Sequence, residues 1–203
     1  MATKVYIIRH CQSKANSKRQ YSCSIKDDDG LSDLGKTQAR ELAGFFSGIK
    51  IKKIYASPFL RTRQTADAIA RYIKTEIDVD ESFRELDCGE WDGKTEDEIR
   101  EKFPDEWKGW HYDPQNNPIP KGESLLEIGT RVLPRFHHII REHKDENIII
   151  VTHYCVFNVI MCSLFSSLAN FRSFDTANGT VAEIVMENVP RLKEYTSSVS
   201  IRS

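Results

Sequence analysis

The sequence predicts an α/β fold. The expected form is a three-layer α/β/α arrangement with a mainly parallel central sheet and a helical and loop insertion over the C-terminal edge of the strands. Three observations lead there. Short strand-like segments at residues 5–9, 51–56 and 148–152 alternate with segments whose apolar residues recur at helical spacing. Val5 to Ile8 form a continuous apolar run, as in a strand covered on both faces. Two of the strand-like segments end in a histidine, His10 and His153, at the strand end where an open α/β sheet places its ligands. Strands alternating with helices imply parallel neighbours joined by right-handed crossovers.

Each element has its own signal. Residues 5–9 read Val-Tyr-Ile-Ile-Arg. Residues 11–30 are polar and form a loop long enough to be functional, with Asp27, Asp28 and Asp29 expected in a solvated turn. Ser32 is the N-cap of a helix carrying Leu34, Leu42, Phe45, Phe46 and Ile49, and Gly48 is its stop. After the strand at 51–56, Ser57-Pro58 reads as an N-cap serine with proline at the first helical position. That helix runs to about Lys74 and is expected to bury Ala68, Ile69, Tyr72 and Ile73. Residues 76–80 alternate weakly and form a candidate strand.

Residues 82–122 differ in texture. They hold Trp91, Trp107 and Trp110 with several glycines and prolines. They read as an inserted lid of short helices and loops within one domain spanning 1–203. Trp107, Trp110, His111 and Tyr112 fit a small satellite core better than a cap over substrate. Ser124-Leu125-Leu126-Glu127 is a capping-box pattern. Its helix carries Ile128, Val132, Phe136 and Ile139 on one face, with a kink expected near Pro134. His137, His138 and His143 are read as surface or packing residues. The strand at 148–152, a helix over 156–168 and the strand Val181–Met186 complete the pattern.

A chain of 203 residues can bury a core without disulfides. Its net charge of -1, with dispersed basic residues, excludes nucleic-acid binding through bulk charge. The weakly polar stretch at 156–165 is too short to cross a bilayer, so no membrane partner is expected. The five cysteines are odd in number, lack a CxxC pair and follow no secretory pattern. A reducing cytoplasm, with the cysteines as small buried hydrophobes, is the expectation. The sequence leaves a homodimer open.

Some chemistry follows from residue types alone. A neutral imidazole is a competent nucleophile toward phosphorus, and Arg9 beside His10 disfavours the imidazolium. Arg61, early in the helix after Ser57-Pro58, can return to the sheet edge, where a helix N-terminus also favours an anion. Cys11, Cys88 and Cys155 lack the Cys-x5-Arg spacing of a cysteine phosphatase. A zinc site from His10, Cys11, His153 and Cys155 is conceivable, but adjacent strand residues point to opposite faces.

The set of motifs resembles the histidine phosphatase superfamily, also called the phosphoglycerate mutase-like family. Arg9-His10-Cys11-Gln12-Ser13-Lys14-Ala15-Asn16 is similar to its Arg-His-Gly signature. Leu31-Ser32-Asp33-Leu34-Gly35 and Ser57-Pro58-Phe59-Leu60-Arg61-Thr62-Arg63-Gln64-Thr65-Ala66 resemble its next two motifs. Arg84-Glu85-Leu86-Asp87-Cys88-Gly89-Glu90-Trp91 resembles its acid loop. Gly122-Glu123-Ser124 and Val151-Thr152-His153 complete the series. The resemblance implies a metal-independent phosphomonoester hydrolase without cofactor, acting on a small phosphorylated metabolite such as phosphoserine or a sugar phosphate. It implies that His10 becomes phosphohistidine, that Arg9, Arg61, His153 and Asn16 line the phosphate pocket, and that Glu85 is the proton donor. Its pKa is expected to be raised by bound phosphate.

Ser22 and Cys23 stand where the family often has Gln-Gly and are further substrate-binding candidates. Cys11 and Tyr154 stand where it usually has glycine, and Tyr154 is a candidate for narrowing the pocket. Positive φ at Cys11 would strain the backbone. Two alternatives remain open at this point: a cofactor-dependent phosphoglycerate mutase, and a catalytically silent phosphate-ligand sensor.

Overall fold

The computed structural model describes residues 2–196. Met1 and residues 197–203 of the expected domain lie outside the described residues. Among the described residues, six strands form one sheet: β1 (Thr3–Arg9), β2 (Lys53–Ala56), β3 (Ile77–Val79), β4 (Asn147–Thr152), β5 (Val181–Met186) and β6 (Arg191–Thr196). Their order is β3-β2-β4-β1-β5-β6. The first four run parallel, β5 is antiparallel to β1, and β6 is antiparallel to β5. The mainly parallel sheet matches the prediction, but β6 was not foreseen. Its first four residues are exposed, so it lacks the apolar run that marks a covered strand. It pairs at the edge, where Lys193 reaches Glu183 at 3.0 Å.

The helices are α1 (Lys14–Ser17), α2 (Asp33–Phe45), α3 (Leu60–Ile73), α4 (Glu96–Lys102), α5 (Pro104–Tyr112), α6 (Leu125–Glu142) and α7 (Tyr154–Phe165). Strand alternation sends Val5, Ile7, Ile148 and Ile150 into one core with Ile128 of α6 and Phe157 of α7. Tyr6, Ile8, Ile149 and Val151 enter the other, with Leu42 of α2 and Ile69 of α3. Full burial of each such side chain contributes roughly 1.5–3 kcal/mol, which is why the central strands are apolar on both faces. The sheet lies between two helical layers.

Local chemistry sets several boundaries. Ser32 caps α2, its Oγ accepting from the Gly35 amide at 3.0 Å. Gly35 has a second role: a Cβ there would lie 1.9 Å from the Gln12 carbonyl oxygen. Only glycine lets α2 pack this close to the segment after β1. Ser124 and Glu127 form the predicted capping box, and α6 continues through Pro134.

Other expectations are corrected. The N-cap of α3 is Phe59 rather than Ser57, with no side-chain bond, because the Ser57 hydroxyl is committed elsewhere. The buried face of α3 starts with Arg61, Thr62 and Thr65 before reaching Ala66 and Ile69, while Tyr72 is exposed. A hydrophobic periodicity assigns polar residues to the outside and therefore misplaces this stripe. Leu34 is also exposed. Trp110 belongs to the main core, with Trp91, rather than to a satellite, while Trp107 stacks on His111 and Tyr112 is exposed.

The topology places the candidate site. β1 and β4 are parallel neighbours, with Arg9 opposite Thr152. His10 and His153 each follow by one residue, so they emerge side by side. From β1 the chain crosses to β2, beyond β4; from β4 it crosses to β5, beyond β1. Connections that diverge in this way open a crevice at the strand ends.

Candidate active site

His10 is buried, and its backbone amide donates to Thr152 O at 2.9 Å, continuing the β1–β4 ladder. Its Nδ1 lies 2.7 Å from the Cys11 carbonyl oxygen. A carbonyl only accepts, so Nδ1 carries the proton and Nε2 holds a lone pair. Arg61 Nε donates to that Nε2 at 3.2 Å. Burial, then Arg61 and Arg9, hold the His10 pKa well below the ordinary histidine range. The imidazole is therefore neutral at neutral pH. Cys11 does not have positive φ. Its thiol packs into the α2–α3 core and burial raises its pKa to about 12, so the missing glycine brings no backbone strain.

Arg61 is held from several sides. Its backbone amide, at the α3 N-terminus, donates to Asp28 Oδ2 at 3.1 Å, and its guanidinium lies 3.4 Å from Asp28 Oδ1. It also donates to Ser22 O at 2.9 Å and rests over the Phe59 ring. The Asp28 carboxylate is 1% exposed, which corrects the expectation of a solvated turn. Only the neighbours Asp27 and Asp29 are exposed. Arg9 donates to Thr176 O and lies over the Tyr154 ring, while its buried Nε has no protein partner.

His153 is fully buried and caps α7 from the end of β4. Its ring centroid is 5.2 Å from that of His10. Ser57 Oγ meets its Nε2 at 2.7 Å, and Nδ1 is buried without a protein partner. Burial, followed by Arg61, His10 and Arg9, lowers its pKa well below the ordinary value. Buried polar groups are normally satisfied; here two donor-capable atoms, on Arg9 and His153, are held without protein acceptors beside His10.

Glu85 follows a 3-10 turn after β3. Its carboxylate accepts from the Leu86 amide at 2.9 Å and from the Cys155 amide, in the first turn of α7, at 3.2 Å. Burial raises its pKa and outweighs those amides, Arg61 and Arg9, which pull it down. This elevation comes from burial and is distinct from the one expected from a bound phosphate. A clamp holds this segment: Arg131 donates to Glu85 O at 3.2 Å and to both Glu123 oxygens, and the Glu123 amide donates to Asp87 O at 2.7 Å. The Gly122-Glu123-Ser124 motif therefore supports the acid loop. Gly89 has φ +46, and a Cβ there would fall 2.3 Å from Pro120 O, so glycine is required for the same contact.

Asn16 is fixed by a reciprocal cap. Its amide donates to Ser13 Oγ, while its Oδ1 accepts from the Ser13 amide and from Asn178 Nδ2. Asn178 also donates to His10 O at 3.2 Å, a role no sequence signal announced. Arg9, His10, Asn16, Ser22, Cys23, Arg61, Glu85 and Tyr154, all expected at the site, line one cavity of about 390 Å³. His153 sits behind His10.

Two cysteines depart from expectation. Cys23 and Cys88 form a disulfide with Cα atoms 5.8 Å apart, so the Cys23 thiol is not free for substrate. Cys11, Cys155 and Cys162 are free and buried, as predicted. The disulfide joins residues 65 apart in sequence, a proximity that spacing alone does not reveal. Cys23, Cys88 and Asp92 are also the one metal-compatible cluster among the described residues, but the disulfide consumes both thiols. The zinc alternative fails on placement: Cys11 and Cys155 lie in cores on opposite faces of the sheet.

A neutral imidazole with a directed lone pair, surrounded by guanidinium donors and facing a protonatable carboxyl, defines the class as an α/β enzyme of phosphoryl chemistry. Comparison with known proteins narrows it. The family model of the histidine phosphatase superfamily (branch 1) matches residues 5–195. The chain belongs to that superfamily and is a phosphatase. It is 31% identical to phosphoserine phosphatase 1 of Hydrogenobacter thermophilus over 185 residues, covering 91% of this chain and 87% of that one. Among solved structures, Bacillus stearothermophilus YhfR superposes with a TM-score of 0.87 at 27% identity, over 94% of this chain and 95% of that one. A phosphoserine phosphatase from Entamoeba histolytica in complex with 3-phosphoglyceric acid shares the fold, with a TM-score of 0.83 at 22% identity, over 96% and 97% of the two chains.

Proposed function

We propose that the protein hydrolyses a small phosphomonoester through a phosphohistidine on His10. The observation that carries this reading is the bond from Nδ1 to the Cys11 carbonyl, which fixes the tautomer and leaves Nε2 as the nucleophile. Nε2 attacks phosphorus, the bond to the ester oxygen breaks, and protonated Glu85 gives its proton to that oxygen. Water then attacks phosphorus, Glu85 takes the water proton, and the P–N bond breaks to release inorganic phosphate. Arg9, Arg61, His153 and Asn16 hold the phosphoryl oxygens. Positioning and charge stabilisation carry most of such a reaction, and one aimed donor contributes roughly 3–4 kcal/mol.

The cavity volume suits a small metabolite, and the phosphoserine phosphatase relative favours a phosphorylated amino acid or hydroxy acid. The test is trapping of ³²P from labelled O-phosphoserine by an alkaline detergent quench. Wild type is expected to retain label that is stable to alkali and labile to acid, and His10→Ala to retain none. Equal labelling of the two proteins would overturn the assignment.

A further inference from the structure

The catalytic residues occupy only the inner end of the cavity. The same cavity is also lined by Arg19, Tyr21, Glu96, Trp110, Tyr154 and Arg172, of which Arg19 and Arg172 are exposed and mark its outer end. Its charges are unbalanced. Glu96 is already paired with Arg100 at 2.8 Å. Arg19 and Arg172 form no ion pair with any described carboxylate; Arg172 gives one N–H to Trp110 O at 3.0 Å. The chain as a whole carries a net charge of -1, so this positive rim is local rather than part of a general basic surface.

The spacing between the two ends is built in. Tyr154 lies beneath Arg9, 5.3 Å from guanidinium carbon to ring centroid, and meets Phe171 edge-on at 5.7 Å. Arg172 is the next residue. One aromatic side chain thus separates the arginine of the phosphate end from the arginine of the rim. Arg19 reaches the cavity because α1 ends in a left-handed turn: its φ is 55, with the Gln20 amide donating to Ala15 O and the Arg19 amide to Asn16 O.

We propose that Arg172 reads a second anionic group of the substrate, a carboxylate or a second phosphate, carried a few bonds from the phosphoester oxygen. The inference rests on the phosphatase reading above and adds the residue that selects for the second anion. A guanidinium suits either anion through paired N–H donors, and Arg172 is a specificity-determining residue rather than part of the reacting set.

The test compares matched substrates. O-phosphoserine and phosphoethanolamine differ by a carboxylate; 1,3-propanediol bisphosphate and its monophosphate differ by a phosphate. Arg172→Gln keeps a donor for Trp110 O and removes the charge. It is expected to lower kcat/KM for at least one second-anion substrate by about 10-fold or more, mainly through KM, and to leave its partner within about twofold. Arg172→Lys should recover part of the loss. The pair with the larger effect identifies the anion. Equal loss on both members of each pair, or no loss on any, overturns the proposal while leaving the phosphatase reading intact. Failure of wild type to hydrolyse all four esters and p-nitrophenyl phosphate, with no label on His10, overturns the phosphatase reading and this inference with it.

Discussion

The two ends of the cavity are built differently. At the inner end, His10, Arg61 and His153 are at most 3% exposed, and strand ends, helix N-termini and mutual hydrogen bonds fix them. At the outer end, Arg19 and Arg172 are exposed and sit on loops, under a wall drawn together by the Cys23–Cys88 disulfide. The difference teaches that, on the proposed reading, reaction and selectivity are separable. The chemistry is tied to the core, so altering it means disturbing buried groups. The proposed selectivity rests on segments that can change without unpacking the sheet.

The strongest test of that division is His10→Ala, which removes the proposed nucleophile. A loss on the order of 10⁴-fold or more in kcat is expected, with little change in Tm. A comparable loss from any outer-wall substitution would break the comparison. Glu85→Gln should cost about 10²–10⁴-fold on alkyl phosphates and much less on p-nitrophenyl phosphate, whose leaving group needs little protonation. If Glu85 is the proposed acid, its raised pKa predicts wild-type activity that falls as pH rises through that value. The variant should lose this limb, and an unchanged pH profile would argue against Glu85 as the acid.

The outer wall has its own signature. Cys23→Ser should lower stability by up to about 4 kcal/mol from loop-closure entropy, read by urea denaturation, with kcat on p-nitrophenyl phosphate nearly retained. Asp28→Asn should weaken the hold on Arg61 and cost about 10-fold in kcat/KM, since truncating one partner of a buried charge pair exposes the other. The smallest effect concerns pH and stability. His10 and His153 have folded pKa values below the ordinary 6.5, so below that pH the unfolded chain binds more protons than the folded one. Their contribution is full above about 6.5 and declines as pH falls from there toward the lower folded values. Thermal melts from pH 7.5 to 5 check this, and a rise in Tm on acidification would contradict it.

Much of the inner end was legible in the chain. Apolar runs ending in Arg9-His10 and Thr152-His153 marked the strand ends, and the short motifs at Ser57 to Ala66 and Arg84 to Trp91 located Arg61 and Glu85. What surrounds them was less so. Asp28 looked like one of three solvated acids because its burial depends on Arg61, 33 residues away. Ser57 read as a helix cap because nothing local shows that His153 needs its hydroxyl. Glu123 carried a motif without a role until α6 brought Arg131 beside it. β6 was missed because an edge strand needs no apolar face.

By itself, then, the sequence determined the alternation of strands and helices, the apolar central strands and the residue types of the phosphate end. These depend on local periodicity and on short motifs whose members are close in the chain. Only the tertiary structure decided which histidine nitrogen holds the lone pair, which carboxylate neutralises Arg61, which cysteines join and which arginines are left facing the cavity. Those outcomes rest on hydrogen bonds and ion pairs between distant segments, and such contacts have no period in sequence to betray them.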